Sequence, residues 1–164
     1  MALLTASLGA QERREFRELH MGMEVRIVLY AADEARARSA ARAAFDRIEA
    51  LENIMSDYRP ESELRRLERR PDEWVPVSKP LFYILGRSVE IAERTDGAFD
   101  PTVGPLVALW RESRRTRHLP ERRQLDSARA LVGWHRIKMD TIGCRVRLTL
   151  PGMHLDLGQL LGAT

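Results

Sequence analysis

Between Thr95 and Trp110 the chain carries Asp96-Gly97, Pro101, Gly104 and Pro105, and this density of backbone-restricting residues limits the local fold more than any other stretch. A helical pattern runs into Thr95, and the residues beyond it keep neither the helix period nor the strand period. Asp96-Gly97 is a helix stop with a left-handed position open at Gly97. Pro101 and Pro105 then fix φ and remove two backbone donors. The residues predict a stiff, shaped loop. It is either an ordinary connection or a frame that aims backbone N–H groups and the Asp100 carboxylate at a ligand.

The segments on either side of this loop read as alternating strands and helices. From Glu24, Val25, Ile27 and Leu29 alternate as a strand with one face in a core, and Met21-Gly22 opens it. Asp33 caps a long helix whose inward positions are Ala37, Ala40, Ala41, Ala44, Ile48, Leu51 and Met55. Ser56 to Pro60 breaks that pattern and leaves Tyr58 on a loop, as a packed lid at the core edge or a flat face for a heterocycle. A short helix with Leu64 and Leu67 inward comes next, and then an extended piece at Trp74 to Val77. Ser78 caps a helix with Pro80 in its first turn and Leu81, Leu85, Val89 and Ala92 inward. A further helix spans Leu125 to Val132 and stops at Gly133. A hairpin runs from His135 to Asp140 and from Cys144 to Leu150. His154 to Gly158 reads as one more strand leading to a helix that the sequence, ending at Thr164, does not complete. The fold class is α+β, a mixed or antiparallel sheet covered by helices.

With 164 residues and 44% hydrophobic content, the chain is long enough to bury a core. Its net charge of +3 comes from 25 Arg and 2 Lys set against 24 acidic residues. The cations are spread from Arg13 to Arg147 and alternate with Asp and Glu along helices, which argues against a nucleic-acid face. The densest run, Arg111, Arg114, Arg115 and Arg117, reads as a solvated surface or as a contact for a phosphate or a partner. One cysteine, Cys144, excludes a disulfide within the chain. No apolar run reaches the roughly 18 residues a membrane span needs. Met1 to Ala10 is apolar and ends in small residues, as the tail of a signal peptide or a frayed terminus would be. His20, His118, His135 and His154 share no metal-ligand spacing, and neither a phosphate-cradling glycine motif nor a serine nucleophile motif is present.

Four groups of residues, in order, resemble one known family. They are Met21-Gly22; Ser56-Asp57-Tyr58 with Ser62-Glu63-Leu64; Thr95 to Val107 (TDGAFDPTVGPLV) with Leu109-Trp110; and Leu155-Asp156-Leu157-Gly158. Together they resemble the ApbE family, the FAD:protein FMN transferases, over what corresponds to the N-terminal half or so of a member. The resemblance implies an incomplete two-lobed domain with FAD between lobes. Residues 1–20 would be an extension or signal-peptide remnant, and residues 21–164 the transferase-like domain, cut short on its C-terminal side. It favours the periplasm or cell envelope.

By the same likeness, the chemistry would be cleavage of FAD at its pyrophosphate, with Mg²⁺ required. FMN would pass through a phosphoester to a threonine of an acceptor protein, a flavinylated redox subunit, and AMP would leave. Met21, Tyr58, Ala98, Phe99, Asp100 and Asp156 are the implied FAD contacts. The backbone position at Gln159 is the implied metal ligand, and the remaining ligands, an Asp and a Thr, would fall well beyond Thr164. No catalytic side chain is assigned. After Asp-Leu-Gly the family continues Gly-Ile-Ala-Lys-Gly-Tyr, whereas this chain reads Gln159 to Thr164 with Gly162 at the lysine position. The expectation is weak FAD binding without FMN transfer. The alternative is a non-catalytic flavin-binding or protein-interaction module that uses the Arg111 to Arg117 surface.

Overall fold

The computed structural model describes residues 11–158, and the chain divides into two compact units at Glu52 and Asn53. The Gln159 expectation lies outside the described residues.

The first unit opens with strands β1 (Glu12–His20) and β2 (Met23–Ala31), paired antiparallel from Glu12 with Ala31 to His20 with Met23. Met21 and Gly22 form the two-residue turn between them, with φ of 51° and 73°. Two positive φ values in succession match the right-handed twist of a hairpin. Residues 12–20, left by the sequence in an N-terminal extension, therefore form a strand. Its charges fall on both faces, so the alternation that reveals β2 is missing. Helix α1 (Glu34–Met55) starts where Asp33 Oδ1 accepts from the Arg36 amide at 2.8 Å. Its buried stripe in this unit is Ala37, Ala41 and Phe45. Ala40, expected inward, is exposed, and Phe45 stacks on His20 with ring centroids 5.5 Å apart.

In the second unit, α2 (Glu63–Glu68) is capped by Ser62 Oγ, which accepts from the Arg65 amide at 3.1 Å, and it buries Leu64 and Leu67. Strand β3 (Val75–Pro76) precedes α3 (Lys79–Arg94), which is capped by Ser78 and carries Pro80 in its first turn. Leu81, Leu85 and Ala92 of α3 are buried as expected. Ser88, not Val89, completes the stripe, with its hydroxyl donating to the Ile84 carbonyl at 2.8 Å. The irregular stretch after α3 is shorter than the sequence suggests, because α4 (Gly104–Thr116) begins inside it. Pro105 does not block this helix. In the first turn its missing N–H has no intrahelical partner to lose. Helix α5 (Arg122–Arg129) starts earlier than expected because Glu121 and Gln124 form a reciprocal capping box.

A turn of 3₁₀ helix (Trp134–Arg136) leads into β4 (Ile137–Asp140) and β5 (Arg145–Leu148), and the sheet order is β3-β5-β4, all antiparallel. Val146 and Leu148 of β5 are buried, as are Met153, Leu155 and Leu157 of the segment after Gly152. That last segment is as apolar as a strand but pairs with none, so the expected strand at His154 to Gly158 is instead irregular buried backbone. The described residues make an α+β fold, and none of their helices is long and apolar enough to cross a membrane. Many arginines pair with nearby carboxylates, as in Arg42 with Asp46, Arg87 with Glu90 and Arg115 with Glu112.

The β4–β5 turn offers a pH test. Asp140 Oδ2 pairs with Arg145 at 2.7 Å, and Oδ1 accepts from the amides of Ile142 at 3.1 Å and Gly143 at 3.2 Å. The Arg145 hydrogen bond, with help from these amides, holds the Asp140 carboxyl below the ordinary aspartate range. A depressed folded pKa stabilises above the unfolded value and is lost as pH falls through the folded one. Asp140→Asn is expected to melt below the parent chain at pH 7. In thermal unfolding followed by circular dichroism, that gap should close below about pH 4.

Candidate functional site

The loop after α3 is built by its own side chains. Asp96 and Gly97 take φ of 49° and 77° and reverse the chain, and the Phe99 amide donates back to Thr95 Oγ1 at 3.2 Å. Asp100 Oδ1 then accepts from the amide and the hydroxyl of Thr102, at 2.8 and 2.6 Å, while its Oδ2 accepts from the Trp134 amide at 3.0 Å. Thr102 is fully buried, and its Oγ1 accepts in turn from the Gly133 amide at 2.7 Å. Between these two anchored residues the Pro101 carbonyl accepts from the Asp156 amide at 2.8 Å.

Two residues further on, Gly104 starts α4 in direct contact with the 154 backbone. A Cβ at this position would lie 2.5 Å from the His154 carbonyl oxygen, so only glycine fits without displacing one segment or the other. From that start, Gly104, Val107, Ala108 and Arg111 recur at helical spacing along one face and line a cavity of roughly 270 Å³. Asp57, Arg65, Glu68, His154 and Asp156 contribute to its other walls.

Two charge clusters meet there. In the first, both terminal nitrogens of Arg111 donate to Asp57 Oδ2 at 3.0 Å, and Nη2 lies 3.9 Å from Asp156 Oδ2. The same guanidinium sits 4.6 Å from the centroid of the Tyr58 ring. Asp57 and Asp156 side chains are only 12% and 9% exposed, so each depends on this cation for compensation. Partial burial works against the Arg111 charge. The hydrogen bonds and charge of Asp57, with smaller help from Tyr58 and Asp156, outweigh it and hold the guanidinium above the ordinary arginine value.

In the second cluster Arg65 Nε donates to the Asp57 carbonyl at 2.8 Å, and its Nη1 donates to Glu68 Oε2 at 2.5 Å. Glu68 is nearly buried and reaches across the chain, with Oε1 accepting from the Leu155 amide at 2.7 Å. His154 Nδ1 stands 2.9 Å from Glu68 Oε2 and 3.0 Å from Arg65 Nη1. A proton on Nδ1 goes to Glu68, and a lone pair there accepts from Arg65.

The ApbE family profile matches residues 21–160. The chain belongs to the ApbE family. It is 31% identical over 144 residues to a FAD:protein FMN transferase of Klebsiella pneumoniae, covering 85% of this chain and 43% of the relative. Among solved structures it superposes on the flavin transferase ApbE from Vibrio cholerae with a TM-score of 0.80 and 27% identity, covering 91% of this chain and 49% of the other. It superposes on the ApbE protein from Thermotoga maritima with a TM-score of 0.79 and 29% identity, covering 90% and 48%. The chain thus spans about half the length of these relatives.

Of the residues that the ApbE resemblance names, Tyr58 and Asp156 meet through Arg111. Asp100 is tied to them through the backbone, since its neighbour Pro101 holds the Asp156 amide, but its own carboxylate serves Thr102 and Trp134. Ala98 is exposed and Phe99 half-buried on the same loop. Met21 belongs to the first unit, at the tip of the β1–β2 turn. Among the described residues, no three His, Cys, Asp or Glu side chains are grouped to hold a metal.

The residues that the sequence missed are Arg111, Arg65, Glu68 and His154. By composition Arg111 groups with its neighbours as a surface run. The overlooked signal is the spacing of Gly104, Val107, Ala108 and Arg111, which becomes meaningful once Pro105 is taken as a helix start.

The anchoring of the loop is testable by one methyl-for-hydroxyl exchange. Thr102→Val leaves the buried Gly133 amide unpaired and is expected to lower stability in urea unfolding by about 1–3 kcal/mol. Thr102→Ser, which keeps the oxygen, should recover most of that loss.

Proposed function

We propose that this chain forms part of the flavin-nucleotide site of a FAD:protein FMN transferase. The observation that supports this most is the convergence of Tyr58 and Asp156 on one arginine beside a cavity, since both are FAD contacts under the family resemblance. The chemistry is suitable. Tyr58 is 74% exposed and presents ring surface on which a planar heterocycle can stack. Asp156 accepts hydrogen bonds, and the amides of Ala98 and Phe99 lie on a loop whose shape is fixed by Asp100 and Thr102. Met21 is the one family contact carried by the first unit. The relatives carry the transferase name over about twice the length of this chain, so nucleotide binding and FMN transfer are separate measurements here.

The acceptor would be a protein presenting a threonine hydroxyl, and the transferred group FMN. Phosphoryl transfer from a pyrophosphate is helped by a cation that neutralises its charge. The backbone carbonyl of Gln159 is the position in this chain that the resemblance assigns to such a magnesium ion.

Titration of the chain with FAD, followed by quenching of flavin fluorescence, is expected to show binding. Tyr58→Ala should weaken it by the value of one aromatic stack, about 1–3 kcal/mol, or roughly 5- to 150-fold in Kd. Incubation with FAD, Mg²⁺ and a threonine-bearing acceptor is expected to leave the acceptor mass unchanged. A mass gain equal to FMN would show that these residues suffice for transfer, and absence of FAD binding would remove the proposal altogether.

A further inference from the structure

We infer that Arg111 is a positioning residue for this site, which fixes the Tyr58 ring and the Asp156 carboxylate relative to each other so that a planar ring can stack on the face of Tyr58 that Arg111 leaves open. The inference rests on the flavin-nucleotide reading of the cavity given above, but its geometry stands without a ligand.

Tyr58 and Asp156 are separated by 98 positions in sequence and come from two irregular segments, neither of which is held by a strand ladder. Arg111 is the side chain that touches both. It grips the residue before Tyr58 with two donors on Asp57 Oδ2, lies 4.6 Å from the ring centroid, and approaches Asp156 Oδ2 at 3.9 Å. A guanidinium suits these three tasks together. It is planar, so it covers an aromatic face, and its forked donors reach a carboxylate on either side in the same plane. A lysine ammonium would keep the charge between Asp57 and Asp156 but has no flat face to lie along the ring.

The arrangement is also asymmetric in a useful way. The two carboxylates are nearly buried, whereas the Arg111 side chain is 41% exposed and Tyr58 74% exposed. One ring face is therefore occupied by the cation and the bulk of the remaining surface faces outward. Removal of Arg111 leaves two poorly solvated carboxylates facing one another, which favours separation of the segments that carry them. Placement on α4 gives Arg111 a fixed origin, because that helix starts hard against the His154 backbone.

The test compares Arg111→Lys and Arg111→Met with the parent chain in three measurements. Hydrogen exchange read by mass spectrometry, with no ligand added, is expected to speed up in both variants over segments 56–59 and 153–158. Thermal unfolding is expected to change little for Arg111→Lys, which keeps the charge. FAD affinity is expected to fall roughly three- to thirtyfold for Arg111→Lys, the range of a lost cation–π contact. A double-mutant cycle of Arg111→Lys with Tyr58→Leu should be non-additive in FAD Kd, because the arginine acts through the ring.

Parent-like FAD binding by Arg111→Lys, or additive losses in the cycle, would overturn the positioning role while leaving the flavin reading intact. If the parent chain binds no FAD, the flavin reading fails by itself and the exchange data decide alone. Unchanged exchange over both segments then also ends the case for Arg111.

Discussion

Asp156 stands where it does because its amide donates to the carbonyl of Pro101 at 2.8 Å, and that carbonyl is held from both sides. Asp100 and Thr102 flank it, bonded to each other and to the amides of Gly133 and Trp134. Loop, 3₁₀ turn and C-terminal segment are therefore one hydrogen-bonded body, assembled from stretches that no regular ladder joins. The cost of leaving any of these buried groups unpaired is what keeps them together. The position of Asp156 opposite Arg111 is set by this body, and with it the geometry of the cavity wall.

The electrostatic arrangement extends this frame. Arg111 compensates Asp57 and Asp156, while Arg65 compensates Glu68, so that three nearly buried carboxylates each have a partner within hydrogen-bonding or ion-pair distance. Glu68 also bonds the Leu155 amide, so the backbone on the N-terminal side of Asp156 is fixed by a side chain from α2. The arginine-rich composition thus has two uses in this fold. Several arginines pair locally along exposed helices, and a few close contacts between distant segments.

Legibility in the sequence tracked the strength of local rules. Ser78 and Asp33 announced helix starts because capping is a property of a few adjacent residues, and Leu64, Leu67, Leu81 and Leu85 announced their burial by spacing. Tyr58, Asp100 and Asp156 could be named from the family motifs, but their relation could not, since it runs through Arg111 and the Pro101 carbonyl. Strand β1 escaped because its charged residues occupy both faces and its pairing with β2 supplies the order. Helix α4 escaped because Pro105 reads as a breaker until its first-turn position is known. The buried segment around Leu155 looked like a strand because burial on all sides and burial in a sheet leave the same apolar composition.

The contact between Gly104 and the His154 carbonyl has a mechanical meaning. A helix that begins against bare backbone, with no side chain between the two, has no slack at that end. The thirteen residues of α4 make a rod of about 20 Å whose near end bears on the 154 peptide and whose far end carries Arg114, Arg115 and the left-handed Arg117. The start of the helix is thus set against the peptide that precedes the Leu155–Asp156 pair, and Arg111, about two turns along, takes its place beside the cavity from that start.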